Sequence, residues 1–310
     1  MNEKNYIMKK DKKSRQLRII TLLRNSKEGL SKEEIIEKIE KELKFSDEIF
    51  NYIDITFKRD LSDIRNDFKT DIIYNRKDNL YQIDSLNIDD SRLDLMLNSF
   101  KIYNTFLGFE TLPEHIIPEK RKSTGLENFG IISEAIAEKS YIEFNYFKYD
   151  TNENEHKKIK PFALKESKNR WYLIGSYENK DDLRAFGLDR ISNLYLVDQK
   201  YKKAKEINRI EAYYKDSFAM FTEGEVERVV LSFDLRDGNY INSYPIHHSQ
   251  KSDFNSEKNR YIVSLNIKIT LDFIMELMSR AWSLEVIEPL HLKQKMVSIF
   301  KEAYERNKNN

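Results

Sequence analysis

Apolar residues recur at helical spacing over Arg15–Arg24, where Leu17, Ile19, Ile20, Leu22 and Leu23 form one face, and the pattern predicts a first helix. Gly29 closes the turn after it, and Ser31-Lys32-Glu33-Glu34 then reads as a capping box. The Ser side chain accepts from the amide three residues on while the Glu carboxylate reaches back. Ile35, Ile36, Ile39 and Leu43 supply the core face of that second helix. A third helix fits Asp54–Phe68, with Asp54 as N-cap, Ile55, Leu61, Ile64 and Phe68 inward, and Thr56, Lys58, Arg59, Ser62, Arg65 and Asn66 outward. The stretch Phe45–Ile53 before it is longer than a helix-turn-helix turn usually is. The period then changes to two, because Asp71–Asn75 and Asn79–Ile83 alternate on either side of Arg76-Lys77-Asp78. That is the pattern of a hairpin.

Three short helices followed by a hairpin is the order of a winged helix-turn-helix, in which the third helix enters the major groove and the wing reaches flanking phosphate. Residues 1–86 are therefore predicted to be a DNA-binding domain. Its candidate contacts are Thr56, Lys58, Arg59, Ser62 and Arg65 on the third helix, Arg76 and Lys77 on the wing, and Lys13 and Arg15 in the basic stretch Met1–Lys27. Thr56-Phe57-Lys58-Arg59-Asp60-Leu61 is similar to the Thr-x-x-Arg-Asp-Leu pattern of many bacterial regulators of this type. In that pattern the Arg and Asp serve either base reading or packing and pairing.

Asp89–Phe109 carries Leu93, Leu95, Met96, Leu97, Phe100, Tyr103, Phe106 and Leu107, apolar nearly all round. A helix of that kind needs a partner, either between domains or across a dimer. With Pro113 and Pro118 it makes residues 87–127 a helical linker. A short helix at Ile131–Ala137 precedes five strand-like runs: Tyr141–Tyr146, Lys157–Ile159 with Pro161, the run Arg170–Gly175, the run Leu183–Ile191, and Leu194–Val197. Five short strands after one helix suit a small, strongly bent barrel. Arg184 and Arg190 are an even number of residues apart, so an unbroken strand puts both guanidinium groups on one face. With Tyr146 beside them they would clamp phosphate and stack a base. Trp171 and Leu173 read as core, Asp189 as an arginine's ion-pair partner, and Tyr172 as either core or ligand contact.

Arg170-Trp171-Tyr172-Leu173 and Phe186-Gly187-Leu188-Asp189-Arg190-Ile191 together resemble the two signatures of the WYL family. The resemblance covers about Ile131–Tyr201. It implies an Sm-like five-stranded β-barrel over residues 128–205 that senses a nucleotide or oligonucleotide effector. The ligand-binding residues it suggests are Tyr146, Lys157, Tyr172, Arg184, Phe186 and Arg190, with Lys157 standing where the family more often has arginine. Residues 225–310 look like the C-terminal α/β extension that accompanies such domains, and are expected to dimerise. The predicted elements there are a strand Val229–Leu235, a strand Arg260–Ile269, a helix Leu271–Ala281, a strand Leu284–Ile287 and a helix Leu292–Arg306. His247–Gln250 and Glu285–Pro289 carry the extension's spellings, but Trp282-Ser283 stands where the family usually has glycine. The fold class is thus α+β.

Composition narrows the chemistry. The 310 residues are 34% charged and 40% hydrophobic, enough for two or three cores, with a formal net charge of +1. Cysteine is absent, which excludes disulfides, thiolate nucleophiles and Cys-based metal sites. No run approaches the roughly eighteen apolar residues of a membrane span, so a cytoplasmic protein without membrane contact is expected. Adjacent His247 and His248 lack further ligands at useful spacing, so no metal is expected. No Gly-rich phosphate loop, Gly-x-Ser-x-Gly elbow or His-Glu-x-x-His helix occurs, so neither catalysis nor a cofactor is expected. These features predict a ligand-responsive transcriptional regulator, a repressor, that binds a double-stranded inverted-repeat operator as a homodimer. The resemblance extends to regulators of phage-defence loci. The alternative is an accessory nucleic-acid-binding protein that modulates a separate nuclease or helicase.

Overall fold

A computed structural model describes residues 3–43, 54–84, 91–107, 114–117, 119–120, 124–202 and 206–308, with side chains from residue 12. The chain divides into two units, Met1–Glu119 and Lys120–Asn310, each described by itself. In the first unit α1 (Glu3–Asn25), α2 (Lys32–Leu43) and α3 (Asp54–Phe68) precede a hairpin of β1 (Ile72–Asn75) and β2 (Leu80–Ile83), and α4 (Ser91–Leu107) follows. The α1–α2 turn is tied to the hairpin by a reciprocal bridge, Leu30 N–H to Tyr81 O at 3.0 Å and Tyr81 N–H to Leu30 O at 2.8 Å. The capping box forms, with Glu34 N–H donating to Ser31 Oγ at 3.2 Å and Ser31 N–H to Glu34 Oε2 at 2.8 Å. Hydrogen bonds to the Glu34 carboxyl from the Ser31 backbone N–H and from the Ser31 side chain hold it below its ordinary range.

The core gathers Ile19, Ile20, Leu23, Ile35, Ile39, Phe57, Ile64 and Leu97. Ile55 does not join it, being 74% exposed, whereas Thr56, Phe57 and Asp60 are buried. Leu61, Ile64 and Phe68 pack inward as expected, so the helix keeps its phase and only its first turn differs, with Ile55 outside and Thr56 inside. Phe57 packs edge-on against Tyr81, ring centres 5.3 Å apart, and Asp60 pairs with Arg15 of α1. Asp54, expected as N-cap, already lies within α3, and its side chain is outside the described residues. So are the side chains of Lys4, Lys9, Lys10 and Leu43, the stretch Phe45–Ile53, Phe109, Pro113 and Pro118.

The second unit opens with α5 (Phe129–Glu138). Next come β3 (Ser140–Lys148), β4 (Glu153–Ser167), β5 (Arg170–Tyr177), β6 (Arg184–Gly187) and β7 (Ile191–Lys200), an antiparallel sheet in the order β6-β5-β4-β3-β7. The expected closed barrel is not found, since β6 and β7 are the sheet's two edges and do not pair. After Gly187 the chain enters a single 3-10 turn, Leu188–Arg190, and β7 then hydrogen-bonds to β3 at the far edge. Ile142, Phe144, Ile159, Leu173, Phe186 and Leu188 form the core with Ile132 and Ala135 of α5.

After α6 (Glu206–Tyr214), β8 (Val226–Asp234), α7 (Leu235–Ser243), β9 (Lys251–Asn255), β10 (Arg260–Lys268), α8 (Leu271–Met278), β11 (Glu285–Glu288) and α9 (Leu290–Asn307) build a sheet ordered β11-β8-β10-β9. This is a βαββαβ unit with a ferredoxin-like strand order, plus a closing helix. The helix α7 and strand β9 were not expected. Leu235, read as the end of a strand, opens α7 instead, because Asp234 caps it by accepting from Asp237 N–H at 2.8 Å.

His247 is polar packing in this unit. Its ring nitrogens lie 2.8 Å from Ser249 Oγ and 2.9 Å from the Lys215 carbonyl oxygen. Burial pushes its pKa below 6.5, the neighbouring His248 adds to this, and the Lys215 carbonyl and Asp216 oppose it. The unfolded chain therefore takes up the proton at a higher pH than the native one. The stabilisation is complete above pH 6.5 and is lost as pH falls below that value through the native pKa. Urea melts are expected to show a steeper loss of stability below pH 6.5 in the parent than in His247→Gln. Parallel pH profiles would refute it.

Candidate nucleic-acid and effector sites

One face of α3 is presented to solvent by helical spacing: Ile55, Lys58, Arg59, Ser62, Arg65 and Asn66 are all exposed. Lys58 and Arg59 form no ion pair among the described residues. Arg65 donates to Asp71 at 2.6 Å, which holds the end of α3 to the start of the hairpin. The hairpin tip is shaped by its own side chains, with Tyr74 OH donating to Asn79 at 2.6 Å and Asn75 to Asp78 at 2.6 Å. Arg76 and Lys77 project from it. Lys13 is exposed and bound to Asp67 at 2.5 Å.

Two expected contacts are corrected. Arg15 is 7% exposed and locked to Asp60, Nε to Oδ2 at 2.9 Å and Nη2 to Oδ1 at 3.3 Å, so it braces α1 against α3 and faces no groove. Thr56 is 9% exposed, on the buried side of α3 with its neighbours Phe57 and Asp60. Charge and polarity marked both as surface residues. The partner that buries Arg15 lies 45 positions away, where no local pattern shows it.

In the second unit the 3-10 turn breaks the parity expected of Arg184 and Arg190. Arg184, at the start of β6, is exposed and pairs with Asp182 at 3.2 Å. Arg190 lies beyond Gly187, its guanidinium carbon 4.8 Å from the ring centres of both Tyr146 and Tyr149. Its Nε is buried without a hydrogen-bond partner, and no ion pair to it occurs among the described residues. Tyr146 is buried, and its hydroxyl accepts from Gly187 N–H at 3.2 Å. Burial raises its pKa, against the opposing pull of Arg190 and the Gly187 hydrogen bond. Asp189, 12% exposed at its side chain, takes an ion pair from Arg170 at 3.0 Å.

Phe186 is also corrected, since it packs edge-on against Phe144 and Tyr146 in the core and offers no ring to a ligand. Lys157 is bound to Glu155 and lies 5.5 Å over the Tyr177 ring. Tyr172 is half-buried, with burial raising its pKa. Tyr149 and Arg170 join the site without having been expected. Arg170 directly precedes the Trp-Tyr-Leu triplet, and Tyr149 lies in the β3–β4 turn, so strand alternation singled out neither. A cation held between two rings, with a buried donor unused, can take an anionic oxygen and stack a flat group beside it.

Among the described residues no helix is long and apolar enough to cross a membrane. Residues 127–196 match the WYL domain and residues 225–304 the WCX domain. The chain is 29% identical over 104 residues to the DNA-binding transcriptional repressor CapW of Pseudomonas aeruginosa, a match covering 34% of each chain. It is also similar to proteasome accessory factor B/C (PafBC) of Arthrobacter aurescens, at 19% identity and a TM-score of 0.32 over 92% of this chain and 45% of that one. A CRISPR Cas-related protein gives 13% identity and a TM-score of 0.38 over 85% and 76%. Likeness at that level defines no shared arrangement. With both domains matched in order, the chain carries a WYL domain followed by a WCX domain.

Proposed function

We propose that this chain is a DNA-binding transcriptional regulator of the repressor type, a winged helix-turn-helix protein with an effector-sensing WYL domain, and that it regulates and does not catalyse. The observation that carries the reading is the exposed face of α3, where Lys58 and Arg59 have no ion-pair partner among the described residues and the hairpin adds Arg76 and Lys77. The name of the CapW repressor supports it. In this reading Lys58, Arg59 and Ser62 meet base edges, while Arg76, Lys77, Arg65 and Lys13 lie against phosphate. The effector is a nucleotide or oligonucleotide whose phosphate meets Arg190. A homodimer fits the apolar surface of α4, where Leu95, Met96, Ile102 and Tyr103 are exposed.

The test is fluorescence anisotropy on the DNA upstream of the gene against scrambled DNA. The parent is expected to prefer a discrete palindromic site, and Lys58→Ala/Arg59→Ala to lose that preference by roughly 5- to 150-fold per base contact removed. Addition of short oligonucleotides is expected to change the parent's operator affinity by roughly 5- to 150-fold, and that of Arg190→Ala not at all. Equal binding to both DNAs overturns the regulator reading. An unchanged effector response in Arg190→Ala overturns the sensor site.

A further inference from the structure

The WCX domain carries an exposed aromatic surface with an organised base. Trp282 is 75% exposed, yet it is held in place: its indole N–H donates to Asp237 Oδ2 at 2.8 Å, and the Arg236 guanidinium carbon lies 4.3 Å from its ring centre. Asp237 is 4% exposed and also accepts from the Ser283 hydroxyl. Burial raises the Asp237 pKa, but the Ser283 and Trp282 donors outweigh it, helped by Arg236 and Arg280, so the carboxylate stays charged. Arg236 is only loosely paired, its Nε 3.8 Å from Asp237 Oδ1. One turn after Arg236 along α7 comes Tyr240, 62% exposed, and Tyr244, just past the helix end, is 86% exposed. The helix sits close to its sheet because Gly238 leaves room for the Tyr261 ring, which a Cβ would approach to 2.1 Å.

We propose that Arg236, Tyr240, Tyr244 and Trp282 form a stacking platform for single-stranded nucleic acid, built from residues other than those around Arg190. Three observations fix the occupant. The Trp282 ring is held in place and open, and the Tyr240 and Tyr244 rings are exposed, as sequence-tolerant base stacking requires. Every exposed residue of α7 is neutral or cationic, its one acid being the buried Asp237, so the helix sets Arg236 and no exposed carboxylate against a polyanion. Side chains one helical turn apart are separated by about 6 Å along the axis, wider than the ~3.4 Å base spacing of a duplex strand, which suits splayed single-stranded bases.

The experiment uses the full chain and its own fluorescence, since Trp171 and Trp282 are its two tryptophans. Trp171 is half-buried, edge-on to Phe129 at 4.9 Å, so a stacked base is reported by Trp282. Short oligothymidylate is expected to quench the emission in the parent and in Trp171→Phe, and not in Trp282→Phe. In the Trp171→Phe background, Tyr240→Ala and Arg236→Ala, both changes at exposed positions, are each expected to weaken the oligothymidylate affinity read from Trp282 quenching by roughly 5- to 150-fold. The signal is read without operator DNA, so it stands or falls independently of the regulator reading. The proposal is overturned by an absent quench, by a quench that persists in Trp282→Phe, or by parental affinity in Tyr240→Ala and Arg236→Ala. Emission that follows protein concentration instead of oligothymidylate also overturns it, and assigns the surface to a second copy of the chain.

Discussion

Asp60→Ala is expected to destabilise the first unit by about 3–5 kcal/mol, because it leaves the Arg15 cation buried without its carboxylate. The side chains are 8% and 1% exposed, and two hydrogen bonds join them, so water cannot replace the lost partner. The measurement is the urea midpoint of the transition that reports on α1–α3. A double change, Arg15→Met with Asp60→Leu, removes both charges while keeping apolar volume, and is expected to recover most of the loss. A single variant that melts within about 1 kcal/mol of the parent would show that the pair is solvated, a cost in the range of exposed ion pairs. The pair also explains why an Arg in a basic segment and an Asp in a helix-turn-helix pattern are buried: each is paired with the other inside the core.

Gly125→Ala is expected to cost on the order of 3 kcal/mol, since it combines a strained backbone with an overpacked contact. Gly125 has φ +86°, and a Cβ there would lie 2.3 Å from the Leu188 carbonyl carbon and 2.5 Å from the Asp189 nitrogen. Backbone atoms cannot rotate away as a side chain can. The 3-10 turn that holds Asp189 and Arg190 must therefore shift, and the contacts of Arg190 with Tyr146 and Tyr149 must shift with it. Binding of short oligonucleotides is expected to weaken along with the thermal midpoint. A variant with the parent's midpoint and affinity would show that the turn adjusts freely.

How much could be read from the chain follows from the range of each interaction. The capping box at Ser31–Glu34, the hairpin around Arg76–Asp78 and the strands flanking Trp171 are visible because their determinants lie within a few residues of one another. The resemblance carried by Arg170–Leu173 and Phe186–Ile191 led to a WYL domain, which the family match bears out. Helix α7 was missed because Asp234, its cap, follows a strand with no change in composition to mark the boundary. Arg190 was recognised for its charge, but its setting was misread, since strand parity assumes a strand that continues past Gly187.

The sequence by itself determined the α+β class, the order of helices and strands apart from α6, α7 and β9, and the WYL and WCX modules, because periodicity, capping and turn chemistry act locally along the chain. Only the tertiary structure decided which polar residues are buried and which remain on the surface. Arg15, Thr56 and Phe186 turn inward, and Lys58, Arg59, Arg76 and Lys77 stay outside. It also brought Tyr149 and Arg170 beside Arg190 and Asp189, and Arg236 over Trp282. The physical reason is that burying a charge depends on a partner from another element, and the pairing of Arg15 with Asp60 or of Arg170 with Asp189 exists only once helices and strands have packed.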